Sequence, residues 1–110
     1  MMNYFCDVEG RQKKELAPGI VARTFWGEKM LMSLVDIEPG AALPLHSHPH
    51  EQHGTIMAGV LHMTIDGETR ALKAGDIYVI PGGIVHGAEA GDEGAQVMDI
   101  FAPVRDEYKY

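Results

Sequence analysis

The chain has a single cysteine, Cys6, so no intrachain disulfide can form, and a reducing, cytoplasmic setting is expected. Cations are also sparse. Nine Lys and Arg are scattered among sixteen Asp and Glu, giving a formal charge of −7. Binding to a nucleic-acid backbone needs clustered Lys and Arg, so no nucleic-acid partner is expected. No apolar run approaches the roughly 20 residues of a membrane span, and the start Met1-Met2-Asn3-Tyr4 has neither a basic nor an apolar leader segment. No membrane partner is expected either. Helical apolar spacing is never sustained, and linkers, internal repeats and low-complexity stretches are missing. What remains is 110 residues, 45% of them apolar, which is enough to fill one core and excludes disorder. One domain, residues 1–110, is expected.

Turn signals are plentiful: Pro39-Gly40, Asp66-Gly67, Ala74-Gly75-Asp76, Pro81-Gly82-Gly83 and Asp92-Glu93-Gly94. Between them, Ile20 to Trp26, Met30 to Ile37, Thr55 to Ile65, Asp76 to Ile80 and Ala95 to Ala102 read as strands. Asp66-Gly67 separates Met63-Thr64-Ile65 from Thr69-Arg70-Ala71-Leu72, the two-residue hairpin signal of a type I′ turn. Evenly spaced strands and turns without helices predict an all-β sandwich or small barrel. Met30, Met32, Met57 and Met63 read as core fillers.

The histidines are unevenly distributed. Four of the six, His46, His48, His50 and His53, crowd into eight residues. In a strand, His46 and His48 share one face, because side chains alternate with a period of two, and two imidazoles so placed can grip one metal ion. Gln52 follows across the Pro49 corner. His86 comes after the Pro81-Gly82-Gly83 turn, which could return it to the same point. Imidazole suits Zn, Ni, Mn or Fe, and the ligand types do not choose among them.

This spacing resembles the cupin family. The first cupin motif, G-x5-H-x-H-x3,4-E-x6-G, reads as Gly40, His46, His48, Gln52 and Gly59, with Gln in the Glu position. The second, G-x5-P-x-G-x2-H-x3-N, reads as Gly75, Pro81, Gly83 and His86, with Ala90 replacing Asn. The motif core spans residues 40–90. The resemblance implies a double-stranded β-helix, a jelly-roll-like barrel, with one divalent metal in its mouth on His46, His48, Gln52 and His86. His53 is the competing fourth ligand, but Gly59 sits six residues after Gln52, and strand parity points Gln52 and His53 to opposite faces. His50 is expected to be a loop or supporting histidine, and His62 to be remote from the ion. Three neutral imidazoles and a neutral amide would leave the ion its full charge, favouring Lewis-acid polarisation and an anionic ligand.

Toward the C-terminus Val97-Met98-Asp99-Ile100-Phe101 alternates, so Asp99 and Phe101 share a face with Val97. An inward Asp99 is a candidate general acid or base; Phe101 could hold a sugar face, and Arg105 could clamp a carboxylate. The run Asp99-Ile-Phe101-Ala-Pro103-Val-Arg105 with His46-Ser-His48-Pro-His-Glu-Gln52 is similar to the KdgF family of cupins. That resemblance implies an enzyme that opens 4,5-unsaturated uronates from pectin or alginate breakdown to linear keto sugars. Asp99 and Arg105 would be catalytic, Phe101 and Arg105 substrate-binding, and the substrate a small anionic sugar or organic acid. The alternatives are another metallocupin enzyme, such as a dioxygenase or isomerase of a small acid, and a non-catalytic ligand-binding cupin. A homodimer is expected, with Ile20 to Trp26 as an exchange or edge strand.

Overall fold

The computed structural model describes residues 4–110, so Met1, Met2 and Asn3, on which the expectation of no leader segment partly rests, lie outside the described residues. Among these, eight strands follow in order: β1 (Lys14–Ala17), β2 (Ile20–Trp26), β3 (Leu31–Ile37), β4 (Ala42–His46), β5 (Glu51–Ile65), β6 (Glu68–Lys73), β7 (Ile77–Ile80) and β8 (His86–Ala102). A 3-10 turn, Asp106–Tyr108, comes last. The fold is all-β, as expected.

All the strand pairings are antiparallel, and β5 and β8 are the long central pair. Each of the two serves both ends of the barrel. The first half of β5 pairs β7 and its second half pairs β6, while the first half of β8 pairs β4 and its second half pairs β3. The bend between halves falls where the β5–β8 register slips, between Ile56 and Ala58 and again between Gly59 and Leu61. Gly59 (φ 74°) faces Gly94 (φ 76°) there, so closely that a Cβ on Gly59 would strike the Gly94 carbonyl. Such bulges let one long strand turn a barrel corner.

Alternation decides which side chains enter the core. On β3, Leu31, Ser33, Val35 and Ile37 are buried and Met32 faces out; on β8, Val97, Asp99 and Phe101 are buried. With Ile20, Ala22, Ile56, Leu61, Met63, Tyr78 and Ile80, they fill the interior. The methionines correct one expectation. Only Met63 is a core residue, while Met30, Met32 and Met57 are exposed, since they lie in a turn or at outward positions. The predicted edge strand is a second correction. β2 pairs with β1 on one side and β3 on the other, and the short, polar β1, which has no alternating signal, is the edge. Asp66 (φ 49°) and Gly67 (φ 81°) form the two-residue turn between β5 and β6, both with the positive φ that type I′ requires.

Candidate active site

His46 closes β4 and His86 opens β8, and the two are cross-strand partners. His48 lies beyond the end of β4, so strand alternation does not align it with His46; the loop turns it into the same mouth instead. The ring nitrogens of His46, His48 and His86 available to a metal lie within 4.8 Å of one another. Each ring is oriented the same way. Nδ1 of His46 donates to the Pro44 carbonyl (2.9 Å), that of His48 to the His50 carbonyl (3.0 Å), and that of His86 to the Ile84 carbonyl (2.9 Å). Carbonyl acceptors fix the Nδ1–H tautomer and leave Nε2 as a lone pair. His50 thus supports the site through its backbone rather than its ring.

Two further observations test whether a cation fits. The Nε2 of His86 is buried with no hydrogen-bond partner. The Nε2 of His48 lies 3.0 Å from Oε1 of Gln52, so two electron-rich atoms face each other in a buried place. A proton on His48 would reconcile them, but burial first and the Arg105 charge next push its pKa down; burial also lowers that of His86. Neutral imidazoles facing each other and an amide oxygen are what a divalent cation needs. The three histidines could therefore hold a metal ion. Gln52 is buried and His53 exposed, paired instead with Glu51 at 2.9 Å; His62 is exposed on the far half of β5.

Asp99 enters the same cavity from β8 and is buried. Burial pushes its carboxyl up to about 6, while the Tyr78 hydroxyl, the Gln52 amide and the Arg105 charge offset part of that rise. Tyr78 was not singled out in the sequence. It donates its phenolic proton to Oδ1 of Asp99, and burial followed by the Asp99 charge lifts its own pKa well above the ordinary value. Its signal was faint, an aromatic at an inward position of a short strand, where packing is the ordinary reading. Gly54 explains how the two meet. It lies between Tyr78 and Asp99 in register, and a Cβ there would collide with both side chains.

The last residues close one side of the mouth. Thr24 donates to the Tyr108 carbonyl at 2.5 Å, tying the tail to β2. Arg105 is drawn inward rather than left in solvent. Its side chain is 12% exposed, and its guanidinium lies 4.0 Å from the Tyr108 ring centroid and 5.1 Å from that of Phe101. Phe101 in turn meets the His48 ring edge-on, with centroids 5.6 Å apart. The cavity is lined by His46, His86, Gln52, Asp99, Phe101 and Arg105 near the mouth and by Val35, Leu61 and Val97 deeper in. The enclosed space is small, about 50 Å³, so a bound sugar ring would sit at the open mouth and reach inward with its substituents.

Comparison with known proteins agrees with this architecture. Residues 33–101 match the family model described as "Cupin domain". The chain is 34% identical to the pectin degradation protein KdgF of Dickeya dadantii, over 98% of this chain and 99% of the relative. Among solved structures, KdgF from Halomonas sp. superimposes with a TM-score of 0.89 at 29% identity, covering 96% of this chain and 98% of the other. An RmlC-like cupin from Shewanella frigidimarina superimposes with a TM-score of 0.90 at 24% identity, covering 97% and 96%, and bears on the fold alone. Together with the barrel and its histidine triad, these likenesses show that the chain belongs to the cupin family and, within it, to the KdgF proteins.

Proposed function

We propose that the protein opens the ring of 4,5-unsaturated uronate monosaccharides released by pectin or alginate breakdown, giving linear keto-uronates. The observation that carries this reading is the buried Asp99 carboxyl, its pKa raised by burial to about 6, in the same cavity as the histidine triad, with Arg105 beside it. The near full-length likeness to KdgF supplies the substrate class. The reaction is an isomerisation and needs no oxidant. The hydroxyl on the anomeric carbon loses its proton as the bond from that carbon to the ring oxygen breaks, and the enolate so released becomes the C5 ketone by taking a proton on C4, so no net proton is gained or lost.

His46, His48 and His86, with Gln52 as the fourth group, would hold a divalent ion. Such an ion supplies Lewis-acid polarisation of a bound oxygen. Asp99 is the group that moves the proton, because it alone combines burial in the cavity with a carboxyl near its titration point. Tyr78 and the Gln52 amide hold the carboxyl in place within the cavity. Arg105, its guanidinium held against the Phe101 and Tyr108 rings, presents N–H groups along its edge to the substrate carboxylate. Phe101 packs against the ring. The reading takes residues 1–110 as one cytoplasmic domain, consistent with a lone exposed cysteine. It also takes the protein as a homodimer, supported by the exposed Met32, Ile77 and Val79 on the sheet's outward face.

The test is Asp99→Asn, assayed for ring opening of unsaturated galacturonate after metal content is matched to wild type. Loss of turnover by about 10²-fold or more is expected, the range of a positioned acid–base group. Retained turnover would remove Asp99 from the mechanism. A metal-loaded wild type inert on galacturonate, guluronate and mannuronate derivatives would leave a binding module as the better reading.

A further inference from the structure

One row of inward side chains in the barrel differs from its neighbours. Reading across the sheet, Thr24 of β2 pairs with Ser33 of β3, Ser33 with Asp99 of β8, Asp99 with Gly54 of β5, and Gly54 with Tyr78 of β7. Apart from Gly54, every member is polar. The row beneath it, Ala22, Val35, Val97 and Ile56, is entirely apolar. Inward positions of a small barrel are filled by apolar side chains unless a polar one has a partner or a task.

Three of the four polar members have partners. Thr24 donates to the Tyr108 carbonyl, and Tyr78 donates to Asp99. Ser33 has none. It is 1% exposed, its Oγ meets no hydrogen-bond partner, and it lines the same cavity as His46, His86, Gln52 and Asp99. Alanine or valine would suit the other inward positions of β3, which are Leu31, Val35 and Ile37. A buried hydroxyl with no partner is unfavourable to the folded chain alone, so its partner is to be sought in what enters the cavity. As the cross-strand neighbour of Asp99, Ser33 stands about 4.5–5.5 Å from it between Cα atoms. One bound ring can reach both.

We propose that Ser33 is a further substrate-binding residue, its hydroxyl bonding a ring hydroxyl of the bound sugar acid while Asp99 faces the reacting atoms. This rests on the ring-opening reading for the identity of the substrate, but not for the existence of the contact. A serine hydroxyl both donates and accepts, as does a sugar hydroxyl, so the pair matches in either direction. Ser33 acts in binding and moves no proton in the chemical step.

The test uses the metal-loaded protein and its Ser33→Ala variant. Calorimetry with D-galacturonate, a saturated sugar acid, reports binding without turnover, and kinetics on unsaturated galacturonate report KM and kcat separately. Binding weaker by about tenfold and a KM raised to match are expected, the size of one neutral hydrogen bond, with kcat within about twofold. The melting temperature of the ligand-free variant is expected to be equal or higher, since an unpartnered buried hydroxyl has been removed. Unchanged affinity, or lost affinity accompanied by a lower melting temperature, would overturn the proposal, the second by making Ser33 a packing residue. A wild type that binds galacturonate but opens no ring would remove the ring-opening reading and leave the Ser33 contact to stand on calorimetry. A wild type that opens the ring while the variant matches it removes Ser33 alone.

Discussion

Asp99 sits where a carboxylate is poorly accommodated. Burial raises its pKa to about 6, and the hydrogen bond from Tyr78 does not bring it back to the ordinary carboxylate range. Between about pH 4 and 6, the folded chain keeps a proton that the unfolded chain has released. Stability therefore falls as pH rises through that window and levels off above it. Asp99→Asn removes the ionisable group while keeping an oxygen for Tyr78 to bond. In metal-free protein, the stability of D99N relative to wild type is thus expected to grow by about 2 kcal/mol from pH 4 to pH 7, given 1.36 kcal/mol per pKa unit. Urea unfolding across that range measures it, and a difference that does not vary with pH would refute the burial argument. The same physics readies the imidazoles. Burial leads the causes that lower the pKa of both His48 and His86, so their Nε2 lone pairs are free at neutral pH.

At the scale of the strand, Gly54 shows how closely β5, β7 and β8 are fitted. The Tyr78 ring and the Asp99 carboxyl arrive from the two flanking strands and occupy the space a side chain at 54 would need. Gly54→Ala is accordingly expected to destabilise the protein by about 1–3 kcal/mol, the range of overpacked cores. Ring-opening turnover should fall with it, as the Tyr78–Asp99 bond is pried apart. An unchanged melting curve would show that the three strands can part without cost. Strands with a full hydrophobic alternation were legible in the sequence: β2 runs from Ile20 to Trp26 as read, and the Asp66-Gly67 turn is where its dipeptide put it. β4 was not, because Pro44 interrupts it, nor was the first half of β8, whose Gly87-Ala88-Glu89-Ala90-Gly91 has little intrinsic preference for a strand. Both are held by pairing with partners distant in the chain, which local pattern cannot report. The site divides the same way. His46, His48, Gln52 and His86 were visible through spacing, whereas Tyr78 and Ser33 acquire meaning only when the sheet sets them beside Asp99.

In the whole molecule, the histidine triad spans the open end of the barrel while the apolar core lies deeper, and the two make separable contributions to stability. His46 and His86 join β4 to β8, and His48 adds the loop before β5; none belongs to the apolar cluster of Ile20, Val35, Ile56, Leu61 and Val97. The core is therefore expected to keep the barrel folded without metal, and a bound ion to add to that stability by mass action. At a free metal concentration of 100 times Kd the increment is about 2.7 kcal/mol. For a domain of this size that is about 10 °C in melting temperature. Chelation of the metal-loaded protein should lower the melting temperature by that order while the far-ultraviolet β spectrum below the transition is unchanged. The response should vanish in His86→Ala, which removes a ligand, and persist in His53→Ala, which removes an outward ring paired only with Glu51. Loss of the response in His53→Ala as well as in His86→Ala would move the fourth position from Gln52 to His53 and reverse the facing of β5. Loss of the β spectrum on chelation would instead mean that the ion, and not the apolar interior, holds the two ends of β5 and β8 together.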